Sequence, residues 1–123
     1  MLTGTLSIGA VAERLGISAD TLRYYERTGV VPPADRDARG RRRYAEGHLH
    51  LLEVLLHLRN TGMPLTRIAE FTRQVLRDPE GVPERLKLLR DHRAVLAAEI
   101  GRLNASLAVV DGKIADYRAR SGA

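Results

Sequence analysis

Apolar residues near the start of the chain recur at helical spacing in two short segments separated by a glycine. Ser7 precedes an apolar stripe over residues 8–15, and Gly16 follows it. Serine caps helix N-termini and glycine ends helices at little conformational cost, so this segment predicts a short helix. Ser18 precedes a second such segment over residues 19–27. Two short capped helices joined by a turn are typical of a helix-turn-helix.

The pattern between residues 31 and 44 is not helical. It contains two prolines, alternating aspartates and arginines, and Gly40 beside an arginine run. Because proline lacks the backbone donor and glycine favours a turn, we expect a loop or hairpin here. Helical periodicity then resumes and predicts a third helix over about residues 45–61 and a fourth over about residues 64–76.

The last third of the chain has the spacing of a coiled coil. From Val82 to Tyr117 a seam advances in alternating steps of four and three residues, and Arg93 is its one charged member. A helix of about 35 residues is about 50 Å long, so we expect its seam to pair with a second identical chain. An intramolecular hairpin packed on the third and fourth helices is the alternative. The predicted dimerisation residues are Leu89, Leu96, Ile100, Leu103, Leu107, Val110 and Ile114.

Composition favours a polyanionic partner. The 123 residues carry a formal net charge of +5, and lysine supplies only Lys87 and Lys113 of the positive charge. Arginine suits bidentate contacts with phosphate and guanine, although codon bias in a GC-rich genome would also enrich it. The chain has no cysteine, which excludes disulfides and thiolate metal sites. It also shows no signal peptide and no membrane-length apolar run, so we expect a cytoplasmic protein without membrane contact.

Several short motifs occur along residues 6–71 in an ordered series. They are Leu6-Ser7-Ile8-Gly9-Ala10-Val11-Ala12, Thr21-Leu22-Arg23-Tyr24-Tyr25-Glu26, Gly29-Val30-Val31-Pro32, Arg36, Gly40-Arg41-Arg42-Arg43-Tyr44 and Arg59-Asn60-Thr61-Gly62-Met63-Pro64-Leu65. Together they closely resemble the MerR family of bacterial transcription regulators. Arg41 stands where the family often has an aromatic residue, which affects the packing of the wing rather than its location.

The resemblance implies both a fold and a mechanism. We expect a mainly α-helical protein with a winged helix-turn-helix DNA-binding domain over residues 1–76, a linker over 77–82 and a dimerisation helix over 83–119, paired as an antiparallel coiled coil. In the family, a homodimer binds an imperfect palindrome in double-stranded promoter DNA. Effector binding then distorts the DNA so that RNA polymerase engages both promoter elements, which makes polymerase an indirect partner.

The expected DNA contacts come from two segments. The N-terminal part of the second helix of a helix-turn-helix enters the major groove, and a basic wing lies along the phosphate backbone. Tyr25 has a core position as its alternative role, and a solvated basic loop is the alternative for the wing. The predicted DNA-binding residues are Ser18, Asp20, Thr21, Arg23, Tyr24, Tyr25, Arg36, Arg41, Arg42, Arg43 and Tyr44.

The sequence restricts what the protein could sense. Without cysteine, thiolate sensing is excluded, and we predict no metal and no cofactor. His50, Glu53 and His57 share one face of the third helix and are a weaker metal-site alternative, since such histidines are more often packing or surface residues. Because the chain ends shortly after Tyr117, we expect any small-molecule effector to bind where the long helix meets helices three and four. Regulation without an effector is the alternative.

Two other classes of function compete with a regulator. An architectural or excisionase-like DNA-bending factor would use a similar winged fold, but such small factors generally lack a long dimerising helix. An enzyme would need a catalytic constellation, and the chain has no Ser/His/Asp arrangement, no glycine-rich phosphate loop and no paired-carboxylate site. We therefore predict a regulator rather than an enzyme.

Overall fold

The structure of the chain is a computed structural model that describes residues 4–122. The chain forms two compact units, of which the first ends at Leu88 and the second begins at Leu89. The chain is mainly helical, with a winged helix-turn-helix followed by a long C-terminal helix, as the sequence predicts. The elements in chain order are β1 (Leu6–Ser7), α1 (Ile8–Leu15), α2 (Ala19–Arg27), β2 (Asp35–Arg36), β3 (Arg42–Tyr44), α3 (Glu46–Asn60), α4 (Leu65–Val75) and α5 (Val82–Arg120).

The two helices of the helix-turn-helix begin and end at the predicted residues. The Ser7 side chain accepts a hydrogen bond from the backbone N–H of Ala10 at the start of α1. Gly16 ends that helix with a φ of 72°, in the left-handed region that favours glycine. The Ser18 side chain accepts from the backbone N–H of Thr21 and so caps α2. Local capping chemistry therefore sets the turn between α1 and α2.

A small antiparallel sheet organises the wing. β3 lies in the middle, with β1 on one side and β2 on the other. Asp35 pairs with Arg43 in the predicted hairpin, while Leu6 pairs with Tyr44 through β1. The sequence did not indicate β1, because a two-residue strand directly before a helix has no periodicity of its own. This strand attaches the base of the wing to the start of α1.

The core of the first unit is built around α3. Leu49, Leu52, Leu55 and Leu58 are all buried, and they recur every three residues along one face of that helix. The face packs in one cluster with apolar residues from α1, α2, α4, the start of α5 and the segments between these helices. The other buried members are Val11, Leu22, Tyr25, Val30, Val31, Tyr44, Met63, Ile68, Phe71 and Leu88.

The region around α4 contains a close backbone contact. Pro64 stands just before α4, which begins one residue after the predicted start at residue 64. The Thr72 hydroxyl donates a 2.6 Å hydrogen bond to the backbone carbonyl of Val30 and joins α4 to the segment after α2. A Cβ at Gly81 would lie 1.9 Å from the carbonyl oxygen of Gln74. Only glycine allows this approach, which brings the chain from the end of α4 to the start of α5.

The second unit consists of the remainder of α5. The helix continues without a break to Arg120, one residue beyond the predicted end at residue 119. This excludes a helical hairpin within the segment, which was the alternative to pairing of the seam with a second chain. Its seam is exposed, with Leu103 at 53% and Leu107 at 58% of full exposure. No helix among residues 4–122 combines the length and apolar character needed to cross a membrane.

Candidate nucleic-acid interface

The N-terminal half of α2 presents polar side chains on the surface. The Arg23 guanidinium donates to the Asp20 carboxylate at 2.8 Å, on neighbouring turns of the helix. Asp20 is 94% exposed and Arg23 39%, so this pair is weak and can open at little cost. The Ser18 and Thr21 hydroxyls hydrogen-bond to each other at 2.8 Å. Four of the predicted residues therefore form one polar surface at the start of α2.

The tip of the wing is held by one carboxylate. Asp37 accepts hydrogen bonds from the backbone N–H groups of Arg39 and Arg41, at 2.9 and 3.0 Å. The bond from the Arg41 backbone is the main cause that lowers the pKa of Asp37 below its ordinary value, and burial opposes it. The Arg36 guanidinium donates to the Gly40 carbonyl at 2.7 Å. The turn is thus built from the aspartates and glycine that alternate with the arginines.

The five arginines of the wing divide into a partly buried pair and three exposed members. Arg42 donates to the Glu26 carboxylate at 3.0 Å, and these side chains are only 19% and 12% exposed. Arg43 donates to the side chain and backbone carbonyl of Thr5. Arg36, Arg39 and Arg41 are exposed at the tip, where Arg36 bonds to Gly40 and Arg41 forms a 3.4 Å ion pair with Asp37. Arg42 and Arg43 therefore attach the wing to α2 and to the segment before β1.

Two tyrosines predicted to contact DNA lie in the core instead. Tyr25 is 4% exposed and Tyr44 is 1% exposed. The Tyr44 ring packs 5.2 Å from the His48 ring, and burial is the main cause that raises the pKa of its hydroxyl. Tyr24, in contrast, is 48% exposed, with the Arg27 guanidinium 5.9 Å from its ring centre. We therefore leave Tyr25 and Tyr44 out of the proposed contact surface and keep Tyr24.

A cleft joins α2 to the wing. Its volume is about 440 Å³, and arginines from both segments line it. The structure brings together here arginines that are far apart in the sequence, along with Ser7 and Ile8 at the start of α1. The lining residues are Ser7, Ile8, Arg23, Arg36, Gly40, Arg41, Arg42 and Arg43.

Several residues of this surface were missed by sequence reasoning. Ser7 and Ile8 were assigned only to the cap and stripe of α1, yet both line the cleft. Glu26 and Thr5 were not considered, although they hold Arg42 and Arg43. Neither contact has a periodicity that a single sequence could show, because both join segments distant in the chain.

The histidine-rich face of α3 does not form a metal site. Among residues 4–122, no group of three histidine, cysteine, aspartate or glutamate side chains is placed to hold a metal ion. This includes His50, Glu53 and His57. Glu53 and His57 instead line a cleft of about 210 Å³ together with Arg14, Leu15, Leu56 and Asn60.

Comparison with known proteins agrees with this architecture. The family of MerR helix-turn-helix regulatory proteins matches residues 6–75. An uncharacterised helix-turn-helix transcriptional regulator from Haemophilus influenzae is 34% identical over 114 residues, which cover 93% of this chain and 84% of that protein.

Solved structures extend the likeness to the long helix. HiNmlR, a MerR family regulator that lacks the sensor domain and was crystallised bound to promoter DNA, superposes with a TM-score of 0.82 at 34% identity, covering 93% of this chain and 90% of its own. A MerR family transcriptional regulator from Bacillus thuringiensis gives a TM-score of 0.79 at 31% identity, covering 91% and 98%.

The matched family spans more than half of the chain, from β1 to the end of α4. The capped helix-turn-helix, the arginine-bearing wing and the long terminal helix all occur in the expected order. The related proteins are transcription regulators and not enzymes. The chain therefore belongs to the MerR family of helix-turn-helix transcriptional regulators.

Proposed function

We propose that this regulator binds double-stranded promoter DNA as a homodimer, with the start of α2 in the major groove and the wing tip on the phosphate backbone. The observation that carries this proposal is the cleft where Arg23 of α2 meets Arg36 and Arg41 of the wing. Arginines that line one cleft can neutralise phosphates of the DNA backbone, while Ser18 and Thr21 reach towards base edges. HiNmlR, bound to promoter DNA, supports the same use of the fold.

Within the wing, we assign different roles to neighbouring arginines. Arg36 and Arg41 are exposed and contact phosphate. Arg42 and Arg43 are held by Glu26 and Thr5, so they position the wing. The wing then keeps its distance from α2 when DNA binds, which preserves the register between groove and backbone contacts.

Dimerisation supplies a second DNA-binding domain, which contacts the second half-site of the DNA. The exposed seam of α5 is the surface that joins the two chains, with residues 83–119 as the dimerisation helix and residues 1–76 as the DNA-binding domain. Two-fold symmetry then requires a palindromic site. We propose that the dimer distorts this DNA so that polymerase acts on a reshaped promoter, at a bending cost of about 1–6 kcal/mol. Polymerase is an indirect partner, and a small-molecule effector would act by shifting the dimer between conformations.

Fluorescence anisotropy tests the contact surface, with a labelled duplex of the region upstream of the gene as probe. Arg23→Ala and Arg41→Ala should each weaken binding about tenfold and lower the slope of log affinity against log salt by about one. Arg102→Ala is the matched control, since Arg102 is a 64% exposed arginine of α5 paired with Glu99. It removes the same charge outside the cleft. Equal affinity and salt slope for Arg41→Ala, Arg23→Ala and the control would overturn the assignment.

A circular-permutation gel shift tests the distortion. Complexes with the binding site at the centre of the fragment should migrate more slowly than complexes with the site at its end, because a central bend shortens the end-to-end distance. Identical mobility at all positions would contradict a bent complex. It would leave a regulator that acts by occupying its promoter.

A further inference from the structure

The seam of α5 carries information about how two copies pair, because one of its positions is charged. Arg93 lies at a core-type position between Leu89 and Leu96. It is exposed in the single chain, and so is Asp111, about five helical turns further on. Neither side chain has an ion-pair partner within residues 4–122. This inference rests on the proposed homodimer and specifies its register.

A parallel pairing is disfavoured by charge. In a parallel coiled coil each seam residue faces its own copy, so Arg93 would face the partner's Arg93 inside the seam. The flanking positions would also bring Lys113 beside the partner's Arg118. Like charges at desolvated core positions are costly, because the low local dielectric strengthens their repulsion.

One antiparallel register removes this conflict. When Leu89 faces the partner's Ile114, every seam residue between these two finds a seam residue opposite it. The other layers pair Arg93 with the partner's Val110, Leu96 with the partner's Leu107 and Ile100 with the partner's Leu103. The two-fold axis then passes beside Gly101, and the seam from Leu89 to Ile114 is covered completely.

The same register places an acid beside the charged layer. Asp111 of the partner follows Val110 on the flank of the seam, at the level of Arg93. Arg90 follows the seam residue Leu89 on the same side of the helix, about one turn before Arg93 of its own chain. The carboxylate of each chain therefore sits between two guanidiniums of the other, twice in the symmetric dimer. The long arginine stem covers apolar surface while its head reaches the acid.

Neighbouring registers lack this complementarity. Sliding one chain by a heptad so that Leu96 faces the partner's Ile114 brings the partner's Arg118 to Arg90 and Arg93. Sliding it the other way, so that Leu89 faces the partner's Leu107, brings Glu99 beside the partner's Glu99. Both changes replace an attraction with a repulsion close to the seam.

We propose that the antiparallel pair expected from the family resemblance takes the register with Leu89 opposite the partner's Ile114, and that Asp111 of each chain holds Arg93 and Arg90 of the other. This ion pair selects the register. Arg93 is thus a specificity residue of the interface, in the way that single polar residues fix register in other coiled coils.

Engineered disulfides test the register cleanly, because the natural chain has no cysteine. An equimolar mixture of Leu89→Cys and Ile114→Cys chains, exchanged and then oxidised, should give only the mixed disulfide. Each variant alone should stay uncrosslinked, since the two Leu89 positions would lie about 37 Å apart along the axis. Leu96→Cys mixed with Leu107→Cys is a second pair with the same expectation.

Other products would overturn the inference. A Leu89→Cys self-disulfide indicates parallel pairing, and a disulfide between Leu96→Cys and Ile114→Cys chains indicates the neighbouring register. Light scattering on the reduced chains separates these failures from failure of the proposed homodimer. A monomeric mass contradicts the dimer itself, whereas a dimeric mass with the wrong disulfide contradicts only the register.

Charge reversal tests the role of Asp111. Asp111→Arg should raise the dimer Kd about tenfold or more in low salt, because two repulsive contacts replace two attractive ones. Asp116→Arg is the matched control, because it makes the same change of charge at a position outside the seam. Asp116 pairs with Arg120 of its own chain. Equal dimer Kd values for Asp111→Arg and the control would overturn the ion pair.

Discussion

The two units of this chain differ in the solvent exposure of their regularly spaced apolar residues. In the first unit, Leu52 and Leu55 of α3 are no more than 1% exposed. In the second, Leu103 and Leu107 of α5 are 53% and 58% exposed, although their spacing is just as regular. The difference teaches that helical periodicity alone does not distinguish a core from an interface. Length does, because a 39-residue helix carries more apolar seam than its own chain covers.

The largest expected effect is the loss of dimerisation after a substitution in the seam of α5. Leu103→Asp should convert the dimer to monomers and raise the dimer Kd more than about hundredfold, because two unpaired carboxylates would enter a desolvated seam. Sedimentation equilibrium measures the change. Val109→Asp is the matched control, since Val109 is 68% exposed and lies off the seam. A normal dimer for Leu103→Asp would refute the seam as the interface.

The next largest effect is on the stability of the first unit, whose core lies within one chain. Gly81→Ala should lower the free energy of unfolding by about 1–3 kcal/mol, because the added Cβ meets the backbone of Gln74. Gly47→Ala is the control, since nothing lies within 4 Å of that position and alanine favours the helix. Urea unfolding compares the two. Equal or greater stability of Gly81→Ala would show that the close approach of the backbone is absent.

A smaller effect separates contact from positioning within the wing. Glu26→Gln removes a negative charge near the proposed DNA surface, so electrostatics alone would strengthen DNA binding. We expect weaker binding by several-fold instead, because Arg42 loses the carboxylate that holds it against α2. Anisotropy on the promoter duplex measures the sign of the change. Tighter binding by Glu26→Gln would make Arg42 a phosphate contact rather than a positioning residue.

The smallest effect is a local dependence on pH at the wing tip. Because the folded-state pKa of Asp37 is lowered, its stabilisation is complete above the ordinary aspartate pKa of about 3.9 and is lost as the pH falls through the lower folded value. The amide resonances of Arg39 and Arg41 should therefore shift below about pH 4 while the core resonances of α3 remain. Simultaneous loss of both sets would contradict a local event.

The sequence was sufficient for elements whose signals are local. Ser7, Gly16 and Ser18 stand at helix ends that depend on neighbouring residues, and the structure confirms them. The sequence was insufficient where distant segments meet. Tyr44 is buried because β3 pairs with β1, and Arg42 is held because Glu26 reaches it from α2. A run of arginines could not show which members are held and which face solvent.

The central claim is that the first unit binds DNA and that the seam of α5 joins a second chain with its own DNA-binding unit. Sedimentation of the protein with its promoter duplex tests this claim most directly. Two chains per duplex are expected for the natural sequence, with Leu103→Asp binding at least tenfold more weakly and entering as single chains. One chain per duplex for the natural sequence, or unchanged affinity and stoichiometry for Leu103→Asp, would contradict the account.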